Sequence, residues 1–399
     1  MIDLLKGKRV FVTGGSGFVG GRLIEVLVRE CGAKVCALVH NPASALRMAR
    51  FEVEFIFADM TDQAAMERVT QGCDVIFHCA FGKGGDEREQ TRSTVEGTRA
   101  LAMAALKHGI RLVNLSTAAV YGETPDGELD ETFPRQPGTW HYARMKREAE
   151  KVLEEMGSRE PLAYTTLQLV GVYGPWGDVF TIGPLRQLAH GRVVVVNDGT
   201  GFVNATYVDD VVQAMLRAAE RPEALGQTFL IRGAGRVTRR QFLEAYAKML
   251  GQGTLVGMTA EQIAAHRSQT SWQNLRRLGP QAARALRFDT GFREAFANSR
   301  AGSSFQAIRP WIPKKVVAKL KGEGAAPVVA TAAVGSGSGA AADSRPLILP
   351  PEFMVRRLAA QTDFSCRKAE QLLGYRSAYD LSRGLAVTEQ WARWARLIP

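Results

Sequence analysis

The run Thr13-Gly14-Gly15-Ser16-Gly17-Phe18-Val19-Gly20 follows directly on the apolar segment Arg9-Val10-Phe11-Val12. No other feature narrows the folding possibilities as far. Arg9 to Val12 reads as a buried strand and Arg22 to Arg29 as an amphipathic helix, so the glycines form the turn between them. Such a turn leaves backbone N–H groups bare at a helix start. Those donors, with the helix dipole, suit a pyrophosphate. Gly14 permits the tight turn, Gly17 lets the backbone approach the phosphates, and Gly20 lets the helix pack close to the sheet. Phe18 and Val19 belong to the same binding loop.

Glycine turns also join strands to helices for geometric reasons alone, so context decides. Lys34 to Val39 follows as a second strand, Phe55-Ile56-Phe57-Ala58-Asp59 as a third, Asp74 to His78 as a fourth, and Arg111 to Leu115 as another. This alternation argues an α/β fold, a Rossmann-type doubly wound parallel sheet. The βα pattern fills residues 1–165. Residues 166–399 read as a smaller, partly helical C-terminal substrate domain, with segments near 203–232 returning to the nucleotide-binding part. A helix starting in Tyr207 to Val212 takes Asp209 or Asp210 as its cap, and Thr238 caps Arg239 to Leu250. Residues 322–346, rich in Gly, Ala and Ser, read as a flexible linker. Cys366 to Leu373 and Leu381 to Leu397 read as helices. Ile308 to Lys321 is a short basic amphipathic stretch. It is read as a lid or a helix packed on its own domain rather than a membrane-surface helix.

The net charge is +11 over 399 residues, and the excess lies wholly in residues 251–399. A basic C-terminal part suits an anionic substrate, an acidic partner or a membrane surface, or is a solvated face. No nucleic acid partner is expected. Five cysteines show no C-x-x-C spacing, so no metal is expected and the chain reads as reduced and cytoplasmic. Met1 to Lys8 is short and charged, unlike a secretion signal. No apolar run approaches the ~20 residues of a transmembrane helix.

Tyr142-Ala143-Arg144-Met145-Lys146 puts a phenol and an ammonium four residues apart on one helix face. A phenol of pKa ~10 is a poor base at neutral pH, and a nearby Lys⁺ is expected to draw it down. A hydroxyl from Ser116-Thr117, at the end of a strand, can hold a substrate oxygen while Tyr142 moves its proton. With these residues in view, the chain resembles the extended short-chain dehydrogenase/reductases, the NAD-dependent epimerase/dehydratase family. The resemblance is carried by the Thr13–Gly20 loop, Asp59, His78-Cys79-Ala80, the segment Leu115 to Gly122, Tyr142 to Lys146, Gly171-Val172-Tyr173-Gly174-Pro175, and the tail Phe364 to Ala369 with Leu373-Gly374-Tyr375. It covers residues 7–250 and 362–395; the stretch 252–361 has no counterpart.

The resemblance implies Tyr142 as general acid/base, Lys146 as its partner and ribose ligand, and Thr117 as the catalytic hydroxyl. It implies that Asp59 accepts from the adenine amino group beside the Met60 backbone. Ala80 and Gly82 would line the inner ribose, with Cys79, by itself a small core residue at the end of a strand, counted among the cofactor-binding residues, and Val170 and Val172 would lie near the nicotinamide amide. It also implies a possible homodimer through helices flanking the sheet. Thr94 stands where the family often has asparagine. Ala118 and Ala119 replace the dehydratases' Asp-Glu pair, which argues against a sugar 4,6-dehydratase. Gly171 and Val203 replace an asparagine and an arginine that commonly contact a substrate diphosphate; Arg232, Arg236, Arg239 and Arg240 are substitute phosphate ligands, or a solvated helix start.

No Asp or Glu occurs from Ala33 to Phe51 to bind a ribose 2′-hydroxyl, and His40, Arg47 and Arg50 stand there instead. That favours NADP over NAD. The leading expectation is an NAD(P)-dependent oxidoreductase of the extended type, acting on a secondary alcohol or ketone of a small molecule, sugar-derived compounds included. The alternatives are a sugar or nucleotide-sugar epimerase with tightly bound NAD, and a non-catalytic dinucleotide-sensing protein.

Overall fold

The computed structural model describes residues 5–269 and 345–399. Its contacts divide the chain into one unit of Met1–Met258 with Arg345–Pro399 and another of Thr259–Ser344. The first carries every feature discussed below. The basic stretch 308–321 and residues 322–344 of the expected linker lie outside the described residues. The linker's last two residues are held rather than loose: the Arg192 N–H donates to the Pro346 carbonyl at 2.9 Å, and Arg192 Nε donates to the Arg345 carbonyl at 2.9 Å.

Seven parallel strands form the main sheet: β1 (Arg9–Thr13), β2 (Lys34–Val39), β3 (Val53–Phe57), β4 (Val75–His78), β5 (Arg111–Thr117), β7 (Tyr164–Leu169) and β11 (Gln227–Ile231). Their spatial order is β11-β7-β5-β4-β1-β2-β3. The order reverses between β1 and β4, where Phe11 stands level with Cys36 on one side and Ile76 on the other. A reversal of this kind opens a crevice at the carboxyl ends of the two strands, and the glycine-rich turn leaves β1 into it.

Central strands are apolar on both faces because helices cover both. On one face lie α1 (Phe18–Arg29) and α7 (Val208–Glu220), packed through Leu23, Ile24, Leu27, Val211 and Met215. On the other lie α3 (Gln63–Thr70), α4 (Glu87–His108) and α5 (His141–Arg159), packed through Met66, Leu101, Ala105 and Leu153. Local signals set several ends. Asp86 and Glu89 close a capping box on α4, and Gly109 ends it in a left-handed conformation. Thr238 and Gln241 do the same at the start of α8 (Arg239–Leu250).

α7 departs from expectation. Its N-cap is Tyr207, and Asp209 and Asp210 lie inside the first turn. Asp209 is recruited by Arg22 of α1, with Nε to Oδ1 at 2.7 Å. Asp210 accepts from Ser377 Oγ and the Ala378 N–H, each at 2.7 Å. Partners far away in sequence outcompete the local cap.

A three-stranded parallel sheet, β12 (Thr254–Met258), β9 (Arg192–Val196) and β13 (Leu347–Ile348), packs with α6 (Gly183–His190) and α8. The tail then gives α9 (Val355–Ala359), β14 (Thr362–Phe364), α10 (Arg367–Leu373) and α11 (Leu381–Trp394). β14 pairs with β6 (Gly127–Leu129). Among the described residues no helix is long and apolar enough to cross a membrane.

Candidate active site

Gly14 turns with φ of 70°, the left-handed region that favours glycine. A Cβ there would stand 2.7 Å from the Ala80 nitrogen and from the Cys79 carbonyl carbon. The ends of β1 and β4 run together because that residue has no side chain. At the start of α1, Gly17 supplies no side-chain cap and the first turn holds no acidic group. The first N–H groups are left without side-chain acceptors, so a dinucleotide pyrophosphate fits that end. Arg47 Nη1 donates to the Gly17 carbonyl at 2.8 Å, and its guanidinium lies 4.9 Å from the Trp176 ring centroid. Burial, then the charge of Arg50, holds Arg47 down to about 10. His40 is exposed just past β2.

Asp59 Oδ1 accepts from the N–H and the hydroxyl of Thr61, both at 2.9 Å. The Thr61 amide chiefly holds the carboxyl below its usual range, so Asp59 stays an acceptor. Met60 is buried. Cys79, Ala80 and Gly82 are half-buried on the segment leaving β4. Burial pushes the Cys79 thiol up to about 12, so it is no thiolate.

A chain of hydrogen bonds fixes that segment. The Ala80 N–H donates to Thr13 Oγ1 at 3.2 Å, and Thr98 Oγ1 donates to the Thr94 carbonyl at 2.7 Å. Thr98 therefore accepts from His78 Nε2–H at 3.0 Å, and Thr13 donates to Nδ1 at 2.8 Å. The network assigns the Nε2–H tautomer. Burial, then the charge of Lys146, drives His78 down to about 3 and keeps it neutral. Thr94 Oγ1 accepts from the Gly82 N–H at 2.8 Å and donates to the Gln90 carbonyl at 2.9 Å. Thr94 thus ties the Ala80–Gly82 segment to α4.

Thr117 ends β5, and Tyr142 and Lys146 lie on the first two turns of α5. The Tyr142 hydroxyl bonds the Thr117 side chain. Thr117 Oγ1 also accepts from the Ala119 N–H at 3.2 Å. Lys146 Nζ donates to the Leu115 carbonyl at 2.8 Å and stands 5.3 Å from the Phe81 ring centroid. Tyr142 meets Phe81 edge-on at 5.4 Å and leans on Trp140 at 5.4 Å.

The electrostatics differ from expectation. Burial pushes Tyr142 up to about 12, with only Thr117 opposing, and Lys146 does not draw it down. Lys146 gives one N–H to the Leu115 carbonyl of β5. Its own value falls to about 8 through burial, against the pull of Cys79 and Glu150.

Sequence reasoning missed Glu150, one turn beyond Lys146 on the same helix face; the repeated spacing of four was the available signal. Buried Glu150 accepts from Ser116 Oγ and, at 2.9 Å, from Gln168 Nε2. Arg135 and Arg147 stand 3.5 and 3.4 Å away. This cluster pins α5 to β5 and β7, and so sets where Tyr142 and Lys146 point. α5 starts without any side-chain cap.

Gly171 turns with φ of 49°, and a Cβ there would stand 2.6 Å from the Val203 carbonyl oxygen. An asparagine does not fit. Val203 is buried, its N–H donating to the Val237 carbonyl at 2.9 Å. Val170 is buried in the cluster beneath Ala118, and Val172 is half-buried on β8 (Val172–Tyr173). Of the four substitute arginines, three are neutralised. Arg232 and Arg236 pair with Asp363 at 3.2 and 2.8 Å, and Arg240 pairs with Asp198 and, at 3.3 Å, with Glu244.

Sheet order and glycine turn define a Rossmann-like, dinucleotide-binding class of fold. The chain belongs to the NAD dependent epimerase/dehydratase family, whose model matches residues 10–231. It is 30% identical over 291 residues to the 4-hydroxy-2-methyl-3-oxo-4-farnesyl-3,4-dihydroquinoline-1-oxide ketoreductase of Stigmatella aurantiaca, covering 70% of this chain and 84% of that protein. It is 29% identical over 237 residues to a dTDP-D-glucose 4,6-dehydratase of Mus musculus, covering 54% of this chain and 66% of that one. The solved structure of UDP-glucose 4-epimerase from Thermotoga maritima, with UDP-glucose, matches with a TM-score of 0.64 at 20% identity, over 97% of this chain and 99% of that one. That last likeness is one of fold.

Proposed function

We propose that this protein is an NAD(P)-dependent oxidoreductase that moves a hydride between a nicotinamide and a secondary alcohol or ketone carbon of a small molecule. The observation that supports it is the meeting of the Tyr142 and Thr117 hydroxyls, with Lys146 one turn along α5. The α1 turn, Asp59 and the segment Cys79 to Gly82 would hold the dinucleotide, which supplies or accepts the hydride when bound. In ketone reduction Thr117 holds the carbonyl oxygen and Tyr142 gives it the phenolic proton. A phenol pushed up to about 12 is fully protonated at neutral pH, which suits the reductive direction. Lys146, one turn along the same helix face, would reach a ribose hydroxyl of the bound dinucleotide.

His40 and Arg47, with no acid between Ala33 and Phe51, favour NADP. Ala118 and Ala119 are buried and can neither protonate a leaving hydroxyl nor abstract a carbon-bound proton, which argues against dehydration. Gly171 and Val203 offer no phosphate ligand, which argues against a nucleotide-sugar epimerase of the usual design.

Titration with NADPH and NADH, followed by a screen of ketones and nucleotide sugars at the nicotinamide absorbance, tests this reading. Tyr142→Phe is expected to lower kcat by about 10²–10⁴ and leave dinucleotide affinity unchanged. Undiminished turnover in that variant overturns the assignment. An epimerase would instead purify with tightly held NAD and show no net absorbance change.

A further inference from the structure

Two aromatic rings lean on Tyr142. Phe81 meets it at 5.4 Å with the ring planes at 68°, and Trp140 meets it at 5.4 Å with the planes at 47°. The two neighbours differ in what lies beyond them. Phe81 sits between Ala80 and Gly82, in the segment proposed to hold the dinucleotide, and its ring centroid is 5.3 Å from Lys146 Nζ. Trp140 leads instead to the tail. Its ring meets that of Phe353 at 5.7 Å, and the Arg357 guanidinium lies 5.0 Å from its centroid. Arg357 Nη1 also donates to the Ala119 carbonyl at 3.3 Å, which ties α9 to the turn behind Thr117.

Neither Trp140 nor Phe353 stands where folding alone would put a large apolar ring. Trp140 is the N-cap of α5, a position that favours Ser, Thr, Asp or Asn, and it gives the helix no side-chain hydrogen bond. It stays half-buried. Phe353 belongs to the turn Glu352–Met354, which buries none of its residues, and it is 48% exposed. Two rings in contact, each with surface open to solvent, thus reach from the tail to the reacting phenol. A local rule broken beside a site marks a residue placed there for a ligand. The side chains next to Thr117 are apolar too, since Ala118 and Ala119 are buried methyl groups. The Thr117 and Tyr142 hydroxyls are engaged by the reacting oxygen. What remains beside them suits a flat apolar ring rather than a polyol, each hydroxyl of which needs a partner once it leaves water.

We infer that Trp140 and Phe353 determine specificity by receiving a planar aromatic ring of the substrate, so that the ketone reduced is an aryl ketone. The ring lies on the Trp140 side of Tyr142, because the Phe81 side belongs to the dinucleotide. Aromatic rings gain from offset or edge-on contact beyond the area they bury, and a saturated ring of the same size buries its area without that gain. Trp140 and Phe353 therefore distinguish an aryl group from its saturated counterpart. Two elements distant in sequence carry this wall, the start of α5 and the turn before α9. The inference rests on the oxidoreductase reading for the place of the reacting oxygen, and it names the substrate class.

Calorimetric titration of the full chain, saturated with NADP⁺ or with NAD⁺ if that binds tighter, tests the wall with two ketones of one carbon skeleton: 2-acetonaphthone and 2-acetyldecalin. The oxidised dinucleotide has no hydride to give, so each ketone binds without turning over. 2-Acetonaphthone is expected to bind about tenfold tighter than 2-acetyldecalin. Trp140→Leu and Phe353→Leu keep an apolar side chain without a ring. Each is expected to weaken 2-acetonaphthone about fivefold, leaving 2-acetyldecalin and the dinucleotide unaffected. Trp140→Phe and Phe353→Tyr keep a ring and stay close to wild type. Failure of 2-acetonaphthone to bind, equal binding of the two ketones, or leucine variants that weaken both ketones alike overturn the inference. Phe353 is exposed, so its variants decide even if a Trp140 variant folds poorly. Aryl selectivity without turnover at the nicotinamide would refute the oxidoreductase reading alone, and turnover of ketones without aryl selectivity would refute the wall alone.

Discussion

Burial and chemistry pull Lys146 in opposite directions. Its value in the folded protein is about 8 against an ordinary 10.5, with burial the chief cause. Between those values the unfolded chain holds more protons than the folded one, so stability rises with pH across that window. Below pH 8 the penalty is present in full. Lys146→Met removes it and also loses the bond to the Leu115 carbonyl. The net expectation is a gain of about 1–2 kcal/mol at pH 7, shrinking as pH approaches 10.5, with turnover lost. Urea unfolding of both proteins at pH 7 and pH 10 checks this; a variant less stable than wild type at pH 7 contradicts it. That Tyr142 and Lys146 share one face of a helix was legible from their spacing. The direction in which Lys146 aims its ammonium was not, because that depends on β5 lying under α5. Arg239 was legible only as one of four arginines, because what distinguishes it is where the carboxylates of the other three come from.

At the scale of elements, a doubly wound parallel sheet could be read from the alternation of short apolar runs with helical patterns through β5, and the Thr238 cap of α8 follows from local chemistry; the strand order and the strands β7 and β11 came only with the structure. The α7 cap could not, since its two aspartates answer to Arg22 and to Ser377. The join between β1, β4 and α4 was equally hidden: His78 looked like the end of an apolar strand, yet it links Thr13 to Thr98. Its folded value of about 3 lies below the ordinary 6.5. The stability this contributes is therefore complete above pH 6.5 and is lost as pH falls toward 3. Between pH 6.5 and 5, unfolding free energy is expected to fall by about 1.4 kcal/mol per pH unit from this group. His78→Gln, which can still donate to one threonine and accept from the other, should remove that slope while costing some stability at pH 7. Denaturant midpoints of the two proteins at pH 5 and 7 provide the comparison; parallel losses on acidification would place the titrating group elsewhere.

Over the whole molecule, the tail is tied to segments that follow β7, at Asn204, Asp210 and Arg232. Asn204, held at φ of 50°, is the clasp: its Nδ2 donates to the Thr362 carbonyl at 2.8 Å, and its Oδ1 accepts from the Phe364 N–H at 3.3 Å. Further along, the Tyr375 hydroxyl donates to the Arg232 carbonyl at 2.8 Å, and buried Asp210 takes Ser377 and Ala378. No local pattern in Asn204-Ala205-Thr206 announces a partner so distant in sequence, which is why the clasp could not be read in advance. Asn204→Ala strips both bonds from β14 and leaves a carbonyl and an N–H buried without partners, at an expected cost of about 2–4 kcal/mol. Because α9 precedes β14 directly, loosening the clasp also loosens Arg357 from the Ala119 carbonyl and the Trp140 ring. The variant should therefore become open to limited proteolysis within residues 345–366. The turn at Gly14 and Gly17, built from β1, β4 and α1, should keep its dinucleotide affinity. Weakened dinucleotide binding in the variant would mean that the tail and the strands carrying the glycine turn unfold as one.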